Sequence, residues 1–358
     1  MPLQPTVPPR QPAPESPRRP VTMADIAQRV GVSKMTVSRA LNRTRENDRA
    51  TSEELRQRIL AACADMGYVI DQTARTFASK RSGVVAAVIP SLNNSNFSET
   101  AQGITAALTA RGLQLLLAYD EYREEDEERL LRSLLMHRPE GVILTGGHHS
   151  AGTRAMLEAA AIPVVETWEL PEQPIEHVVG FSNAEAGAAL VRHLHALGYR
   201  RIGFIGGSSE RDHRGADRRH GFVQAMQSLG LPAHRVLAFG EPPIHIGHGS
   251  QALLALLARW PDTDAVICVS DLLAFGALTE CQRRGWAVPG RLALAGFGDF
   301  EIARHCHPRL TTVVLDCHDI GRRAGELLLQ AIDAAREGRQ LPARTLRVPF
   351  HVEQRESS

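Results

Sequence analysis

The stretch TMADIAQRVGVSKMTVSRALN, residues 22–42, predicts two short helices on either side of a turn at Gly31. Apolar residues at helical spacing give each helix one inward face: Ile26, Ala27 and Val30 in the first, and Val37, Ala40 and Leu41 in the second. Ser33 is placed to cap the second helix. Short polar and cationic side chains remain on its outer surface, and a DNA major groove accepts such groups. The stretch therefore predicts a helix-turn-helix that reads DNA.

A third helix is expected after the polar, charged loop at residues 43–50. It opens on Thr51-Ser52-Glu53-Glu54 and runs to about Met66, where Gly67 ends it. The apolar residues that should pack it against the first two helices are Leu55, Ile59, Leu60 and Ala62. Residues 21–71 are therefore expected to form an all-α head of three helices.

The charge of the 358-residue chain is unevenly distributed. Residues 1–83 hold 14 Lys and Arg against 8 Asp and Glu, whereas the remainder holds 27 against 32. The positive charge therefore accompanies the predicted DNA-reading head, where it can neutralise phosphates. Residues 1–20 contain eight prolines and no apolar signal-peptide core, which predicts a disordered tail.

Cysteine usage and hydropathy indicate a cytoplasmic protein without a membrane anchor. The five cysteines are odd in number and show no paired spacing, which favours reduced thiols in a chain without an export signal. No apolar run approaches the roughly 20 residues of a membrane-spanning helix.

From Gly83 onward, short β-rich runs alternate with amphipathic helical stretches. The runs are residues 84–89, 113–119, 141–145, 163–166, 178–181, 202–206, 265–269 and 292–297, and the clearest helical stretches are 124–137, 185–197 and 271–284. This alternation predicts α/β structure with parallel sheets covered by helices on both faces. About 270 residues exceed one ordinary domain, so two lobes with a cleft between them are expected. In such sheets ligands bind at the carboxyl ends of the strands.

Several motifs together resemble the LacI/GalR family of sugar-responsive repressors, from about Val21 to Ser357. The matching segments are Val30-Gly31-Val32-Ser33, Thr36-Val37-Ser38-Arg39, Met66-Gly67-Tyr68, Ala295-Gly296-Phe297 with Asp299, and Pro308-Arg309-Leu310-Thr311-Thr312-Val313. Residues 34–39, 163–166 and 179–183 look most like the gluconate-utilisation repressors. The resemblance implies a helix-turn-helix head (residues 21–71), a hinge helix (72–82) and a periplasmic-binding-protein-like α/β body of two doubly wound lobes (83–354).

The resemblance also implies residue roles in a complex with double-stranded operator DNA. Lys34, Met35 and Arg39 would contact bases. Phosphates would be held mainly by Thr22, Ser33, Thr36, Ser38, Asn42 and Tyr68. The hinge would enter the minor groove through Ala74, Phe77 and Ala78, with the Phe77 ring as a wedge that kinks the duplex. A plain linker helix, with Phe77 packed on its own body, is the alternative.

A small sugar or sugar-acid effector is the second partner that the resemblance implies, bound by a homodimer that needs no cofactor. Arg218, three residues before Gly221, would bind it, and the fork of a guanidinium suits a carboxylate. The other matched positions are Ser91, Phe97, Arg211, Ser270, Asp271, Phe297 and Asp299. Asp271 could equally cap a helix. Many relatives have acids where this chain has Gly298 and Ser182, and their loss favours an acidic ligand such as gluconate over a neutral sugar or a purine.

Other classes of protein fit the sequence less well. Enzyme signatures are missing, because Gly203-Phe204-Ile205-Gly206-Gly207 lacks dinucleotide-binding spacing and there is no Walker-type motif and no nucleophile elbow. The His and Cys residues at 305–307 and 317–318 fit no compact zinc spacing. A two-lobed sugar-binding receptor would explain the body alone, but neither the predicted DNA-reading head nor the lack of an export signal.

Overall fold

The computed structural model describes residues 19, 21–41, 52–68, 81–208 and 211–358. Contacts divide the chain into two compact units, Met1–Arg81 and Ser82–Ser358, called here the head and the body. The predicted positions Asn42, Ala74, Phe77 and Ala78 lie outside the described residues, as do most of the expected tail and hinge helix.

The described part of the head contains three helices, α1 (Met23–Val30), α2 (Lys34–Leu41) and α3 (Glu53–Met66). Gly31 makes the turn with a left-handed φ of 76°, and Ser52 caps α3 by accepting from the amide of Leu55. The core consists of Ile26, Ala27, Val37, Ala40, Ile59, Ala62 and Cys63. The three-helix prediction is confirmed, although Leu60 is only half-buried and Cys63 takes the core position instead.

The body consists of two lobes, each built on a six-stranded sheet. Lobe 1 has the strand order β11-β5-β4-β3-β1-β2, and all its strands are parallel. Its strands are β1 (Val84–Ile89), β2 (Gln114–Tyr119), β3 (Val142–Thr145), β4 (Val164–Thr167), β5 (His177–Gly180) and β11 (Thr345–Arg347). Its helices are α4 (Ser95–Thr109), α5 (Glu124–Leu135), α6 (Ala151–Ala160) and α12 (Cys317–Arg336).

Lobe 2 has the strand order β12-β10-β9-β8-β6-β7, in which only β12 runs antiparallel to its neighbour. Its strands are β6 (Ile202–Gly206), β7 (Val236–Ala238), β8 (Ala265–Cys268), β9 (Ala293–Phe297), β10 (Thr311–Leu315) and β12 (Phe350–Glu353). Its helices are α7 (Asn183–Ala196), α8 (His213–Ser228), α9 (Ile246–Arg259), α10 (Asp271–Arg283) and α11 (Glu301–His305).

The strands read as continuous apolar runs because helices cover both faces of each sheet. In β1, Val85, Ala87 and Ile89 face one buried cluster, while Ala86 and Val88 face another. The predicted α/β architecture of two doubly wound lobes is confirmed, and all eight predicted strands are present to within a residue or two. The strands β7, β10, β11 and β12 were not predicted.

The chain crosses between the lobes from β5 to α7, from β10 to α12 and from β11 to β12. These connections place the carboxyl ends of the parallel strands of both sheets around one cleft. The C-terminal residues belong to lobe 2, because Ser357 is fully buried and its hydroxyl donates to the carbonyl of Leu294 at 2.6 Å. The body therefore extends beyond the predicted end at residue 354.

Candidate functional site

The outer surface of α2 carries the residues expected to contact bases. Lys34, Met35 and Arg39 are all exposed, and Met35 keeps 62% of its surface accessible although it is apolar. The opposite side of α2 holds Val37 and Ala40 in the core of the head. The helix therefore presents two cations and a thioether to solvent, a set that can donate to guanine and contact a thymine methyl.

Two of the hydroxyls expected near phosphates also fix the helix ends. The Thr22 hydroxyl and amide both donate to Asp25 Oδ2, at 2.7 and 2.8 Å, and these hydrogen bonds lower the pKa of Asp25. The amide of Thr36 donates to Ser33 Oγ at 3.1 Å. Both caps hold the amino ends of α1 and α2 in place.

The remaining phosphate candidates are half-buried in the described head. Thr36 and Ser38 lie on α2, and Tyr68 packs against the core just beyond the end of α3. Their location on the surface is compatible with backbone contacts, which position a protein on DNA without reading its sequence.

A cavity of about 640 Å³, counting its open mouth, lies between the two lobes of the body. Its lobe 1 wall is formed by Ser91, Asn93, Asn94, Asn96, Phe97, Tyr122 and Trp168. Its lobe 2 wall is formed by Asp212, Arg214, Arg218, Pro243, Ile244, Val269, Ser270, Leu272, Phe297 and Phe300. Aromatic rings beside amides and hydroxyls make this a wall that can take a polyhydroxylated ligand.

Arg218 is a buried cation in this wall. It lies on α8, and α8 packs closely on α7 because Gly221 has no side chain. A Cβ at Gly221 would lie 1.9 Å from the carbonyl oxygen of Ala184. The guanidinium lies 4.2 Å from the ring centroid of Phe297, and its Nη1 donates to Asn183 Oδ1 at 2.6 Å. Burial lowers the pKa of Arg218, partly offset by the charge of Asp212.

Two buried polar atoms of the wall lack a protein partner among the described residues, namely Arg218 Nε and Ser270 Oγ. No described carboxylate forms a salt bridge with Arg218, in contrast to the buried Arg214 and Arg235, which pair with Glu169 and Asp262. Buried polar atoms are normally hydrogen-bonded, and an unpaired buried charge is costly. The cavity therefore offers hydrogen-bond donors at Arg218 and Ser270 to a group that supplies acceptors.

Five of the eight expected effector residues line this cavity: Ser91, Phe97, Arg218, Ser270 and Phe297. The other three lie elsewhere. Arg211 pairs with Glu241 at 2.9 Å, and Asp299 pairs with Arg304 and Arg355. The charged groups of Arg211 and Asp299 contact protein partners outside the wall, and direct effector contact by either residue stays a prediction.

Asp271 is a structural residue in this fold. It is the first residue of α10 and not its cap, and it is fully buried. Its carboxylate accepts from Thr312 Oγ1 at 2.7 Å and from the amide of Phe300 at 2.8 Å. Burial raises its pKa to about 6. Asp271 therefore ties α10 to the segments after β9 and in β10. Ser270 takes the cap position, and effector contact by Asp271 stays a prediction.

Gly298 and Ser182, where many relatives carry acids, have local roles here. Gly298 has φ 118°, and a Cβ there would lie 2.5 Å from Asn96 Nδ2. That amide instead donates to the carbonyl of Gly298 at 3.0 Å, which links lobe 1 to lobe 2. Ser182 caps α7 by accepting from the amide of Glu185. Neither position contributes a negative charge to the cleft.

The eight expected effector residues do not include several wall residues, chiefly Asn96, Tyr122, Trp168 and Arg214. Arg214 has the clearest signal, because it precedes Arg218 by four residues and so lies on the same face of α8. Trp168 directly follows β4, at a carboxyl end of the sheet. Tyr122 follows an irregular turn, and no pattern in the sequence marks it.

Two negative findings complete the description of the site. The described residues contain no cluster of three or more His, Cys, Asp or Glu side chains arranged to hold a metal ion. None of the described helices is both long and apolar enough to span a membrane.

Comparison with known families and proteins gives consistent matches along the chain. The family described as bacterial regulatory proteins, lacI family, matches residues 22–71, and the periplasmic binding protein-like domain matches residues 191–358. The HTH-type transcriptional regulator GntR of Pseudomonas aeruginosa is 36% identical over 94% of this chain and 95% of its own length.

Solved structures show the same similarity. A LacI family transcriptional regulator from Silicibacter pomeroyi superposes with a TM-score of 0.83 at 34% identity, covering 94% of this chain and 99% of its own. The transcription regulator GntR from Chromobacterium violaceum gives a TM-score of 0.71 at 39% identity, covering 77% of this chain and 99% of its own. The two segments that match family models coincide with the head and with most of lobe 2.

Proposed function

Since the chain belongs to the LacI family of bacterial regulatory proteins, we propose that it acts as a homodimer released from a palindromic operator by a small sugar acid such as gluconate. The protein is a DNA-binding transcriptional repressor of this family and not an enzyme. The palindromic operator, the dimer and the acidic effector are the proposed parts.

The observation that carries the effector class is that Arg218 forms no ion pair with a described carboxylate, and the nearby charge of Asp212 offsets its burial only in part. The guanidinium is buried against Phe297 and donates a hydrogen bond to an amide oxygen. The fold therefore desolvates this cation without giving it an ion-pair partner. A carboxylate ligand compensates that charge with a charge-assisted hydrogen bond, which a neutral hydroxyl does less well. The free Nε and the hydroxyl of Ser270 offer further donors. The resemblance to gluconate-utilisation repressors supports the same ligand class.

The amides and rings of the opposite wall suit the remainder of an aldonate. Asn93, Asn94 and Asn96 can exchange hydrogen bonds with a chain of hydroxyls. Phe97 and Trp168 lie edge to face with ring centroids 5.1 Å apart and present an apolar surface to C–H groups. The ligand would thus bind through its acid on lobe 2 and through its polyol on lobe 1.

A second copy of the chain is the proposed cover for the outer edge of lobe 1. The strand β2 ends its sheet, and Leu117 and Tyr119 on it are 37% and 48% exposed. An exposed apolar edge strand is normally covered. A two-fold dimer would present two heads, and two heads read two half-sites related by the same symmetry. Such a regulator acts in the cytoplasm, where its operator lies.

Isothermal titration calorimetry of the full chain with gluconate and with glucitol tests the effector class. The two ligands carry the same kind of hydroxylated chain and differ at the carboxylate. We expect gluconate to bind and glucitol to bind at least about tenfold more weakly, in line with the energy of a charge-assisted hydrogen bond. Equal affinity, or preference for glucitol, would overturn the acidic-effector proposal.

Selection of binding sites from randomised duplexes by the full chain tests the operator. Enrichment of one palindromic sequence at moderate salt is expected. Enrichment of an asymmetric site, or retention of random duplexes, would contradict the dimer on a palindrome.

A further inference from the structure

Arg214 reaches from lobe 2 into lobe 1. It is the second residue of α8, and its side chain is almost wholly buried although it leaves its own lobe. Its Nη1 lies 3.3 Å from Glu169 Oε1 and donates to the carbonyl of Thr145 at 3.3 Å. Both partners lie at carboxyl ends of lobe 1 strands, in β3 and just after β4.

Lobe 1 forms a socket that fits this side chain. The guanidinium carbon lies 5.5 Å from the ring centroid of Tyr122 and 5.7 Å from that of Phe97. Gly146 lines the socket, and a Cβ there would approach Arg214 Nη1 to 2.8 Å. Glu169 is held in place because its Oε2 accepts from the amide of Gly147 at 2.9 Å. Glu169 is therefore held within lobe 1 by a contact that does not involve Arg214.

A buried ion pair between two lobes stabilises their closed arrangement. Both charges are buried in the closed arrangement, so removal of only one of them leaves the other buried without its partner and favours the open cleft, where water solvates it. The sheets are packed by hydrophobic clusters to which neither Arg214 nor Glu169 belongs, although one of these clusters contains residues of both lobes, such as Val165 and Phe204. The Arg214–Glu169 contact therefore opposes opening of the cleft more than it stabilises the folding of either lobe.

The helix that carries Arg214 also carries Arg218 one turn later. Arg218 and Arg214 both line the cavity, and the end of the Arg214 side chain also enters the socket, so one helix joins the ligand wall to the contact between lobes. We propose that Arg214 and Glu169 form an inter-lobe latch that keeps the cleft closed before any ligand binds and so sets the fraction of protein competent to bind. Both are positioning residues in this role.

The latch predicts how the ligand-free protein opens, and this can be measured without any ligand. Ser91 is a buried residue of the lobe 1 wall, and Ser91→Cys places a thiol where alkylation requires an open cleft. The rate of alkylation by a bulky maleimide then follows the open fraction. Four native cysteines are buried and Cys306 is half-buried, and the chain without Ser91→Cys gives the background rate.

Glu169→Gln is the decisive variant, because the amide keeps the shape and the acceptor for Gly147 but loses the charge, and Glu169 does not line the cavity wall. In the Ser91→Cys background we expect it to raise the alkylation rate roughly tenfold, as loss of one partner of a buried pair predicts. The control is Arg235→Gln, which breaks a bidentate pair between the buried Arg235 and the exposed Asp262 inside lobe 2. It should lower the melting temperature and leave the alkylation rate unchanged.

The double variant Arg214→Met/Glu169→Gln separates the latch from a merely structural role. Removal of both charges should recover thermal stability relative to Glu169→Gln, since no buried charge is left unpaired, while alkylation stays fast because the latch is absent. An alkylation rate equal to that of the parent in Glu169→Gln, or a return to the parent rate in the double variant, would overturn the proposal.

The ligand readout rests on the proposed function and is separate. If gluconate binds, Glu169→Gln should weaken its affinity by the same factor as the closed fraction falls. Absence of gluconate binding in the parent would refute the effector proposal and leave the alkylation result standing.

Discussion

The head and the cleft use arginine in opposite ways. Arg39 on α2 is exposed, so the free-energy cost of desolvating its guanidinium arises only when a phosphate or a base displaces its water. Arg218 on α8 is already desolvated by the fold and has no described ion-pair partner. The comparison teaches that the head is a surface whose recognition is largely electrostatic and local, whereas the cleft is a preorganised interior that many segments must assemble.

The largest expected effect comes from the small core of the head. Ile26 is fully buried there, and Ile26→Ala should cost roughly 2–5 kcal/mol, which a domain of this size has little stability to absorb. Operator binding should fall sharply, while calorimetry still shows normal effector binding. Leu60→Ala, at a half-buried position outside the core, is the control and should cost less. A parallel loss of effector binding in Ile26→Ala would show that the two regions do not act separately.

Arg218→Ala should have the next largest effect, confined to the cleft. Truncation of one partner of a buried charge contact costs roughly 2–5 kcal/mol, so effector affinity should fall by about 100-fold or more. Operator affinity in the absence of effector should stay within about twofold of the parent, because Arg218 lies in the body. Calorimetry and gel-shift titration measure the two quantities, and unchanged effector affinity would refute the role of Arg218.

Arg39→Ala should lower operator affinity by roughly 1–3 kcal/mol, the discrimination of one bidentate contact with guanine. Arg29→Ala is the matched control, because Arg29 is an exposed cation at the end of α1 and lies outside the reading surface. Arg29→Ala should change the slope of operator affinity against salt concentration by no more than the equivalent of about one phosphate contact. Equal losses in the two variants would mean that α2 supplies charge and no sequence readout.

The smallest effect concerns pH and a histidine inside lobe 1. Burial by itself lowers the pKa of His149, but its hydrogen bond with Glu127 and its contact with Glu166 outweigh burial and raise the pKa to about 9. The folded state therefore binds this proton more tightly than the unfolded state, and the stabilisation is lost as pH rises through 9. Between pH 8 and pH 9 the loss should be about 1 kcal/mol.

Thermal unfolding of the full chain followed across that pH window measures this loss, which amounts to about 2–4 °C for a unit of this size. His149→Gln provides the control. It removes the titrating group and should flatten the pH dependence of body unfolding. The same slope in parent and variant would assign the effect to another group. Head unfolding should not follow the titration of His149, which lies in the body.

The head could be predicted almost residue by residue because its determinants are local. Gly31, Ser33 and the apolar spacing of residues 26–41 fix α1, the turn and α2 within a few positions of the chain. Met35 and Arg39 point outward for the same reason that Val37 points inward. The exception is Cys63, which replaces Leu60 in the core because the orientation of α3 depends on packing and not on its own sequence.

The cleft could be predicted only in outline. Strands and their carboxyl ends follow from apolar runs, whereas Ser91, Phe97, Ser270 and Phe297, which line the cavity, were expected from the family resemblance. The partners of charged residues follow from tertiary structure. Asp271 looks like a ligand or a cap in the sequence, yet it bonds to Thr312 forty-one positions away, and Arg214 bonds to Glu169 across two lobes. No pattern of neighbouring residues predicts contacts between positions that lie so far apart in the sequence.

The most direct test of the acidic-effector claim is release of the full chain from its selected operator by gluconate, compared between the parent and Arg218→Ala. The account predicts that gluconate releases the parent from DNA, that glucitol at the same concentration does not, and that Arg218→Ala stays bound in both. Release of Arg218→Ala by gluconate at the parent's midpoint would contradict it.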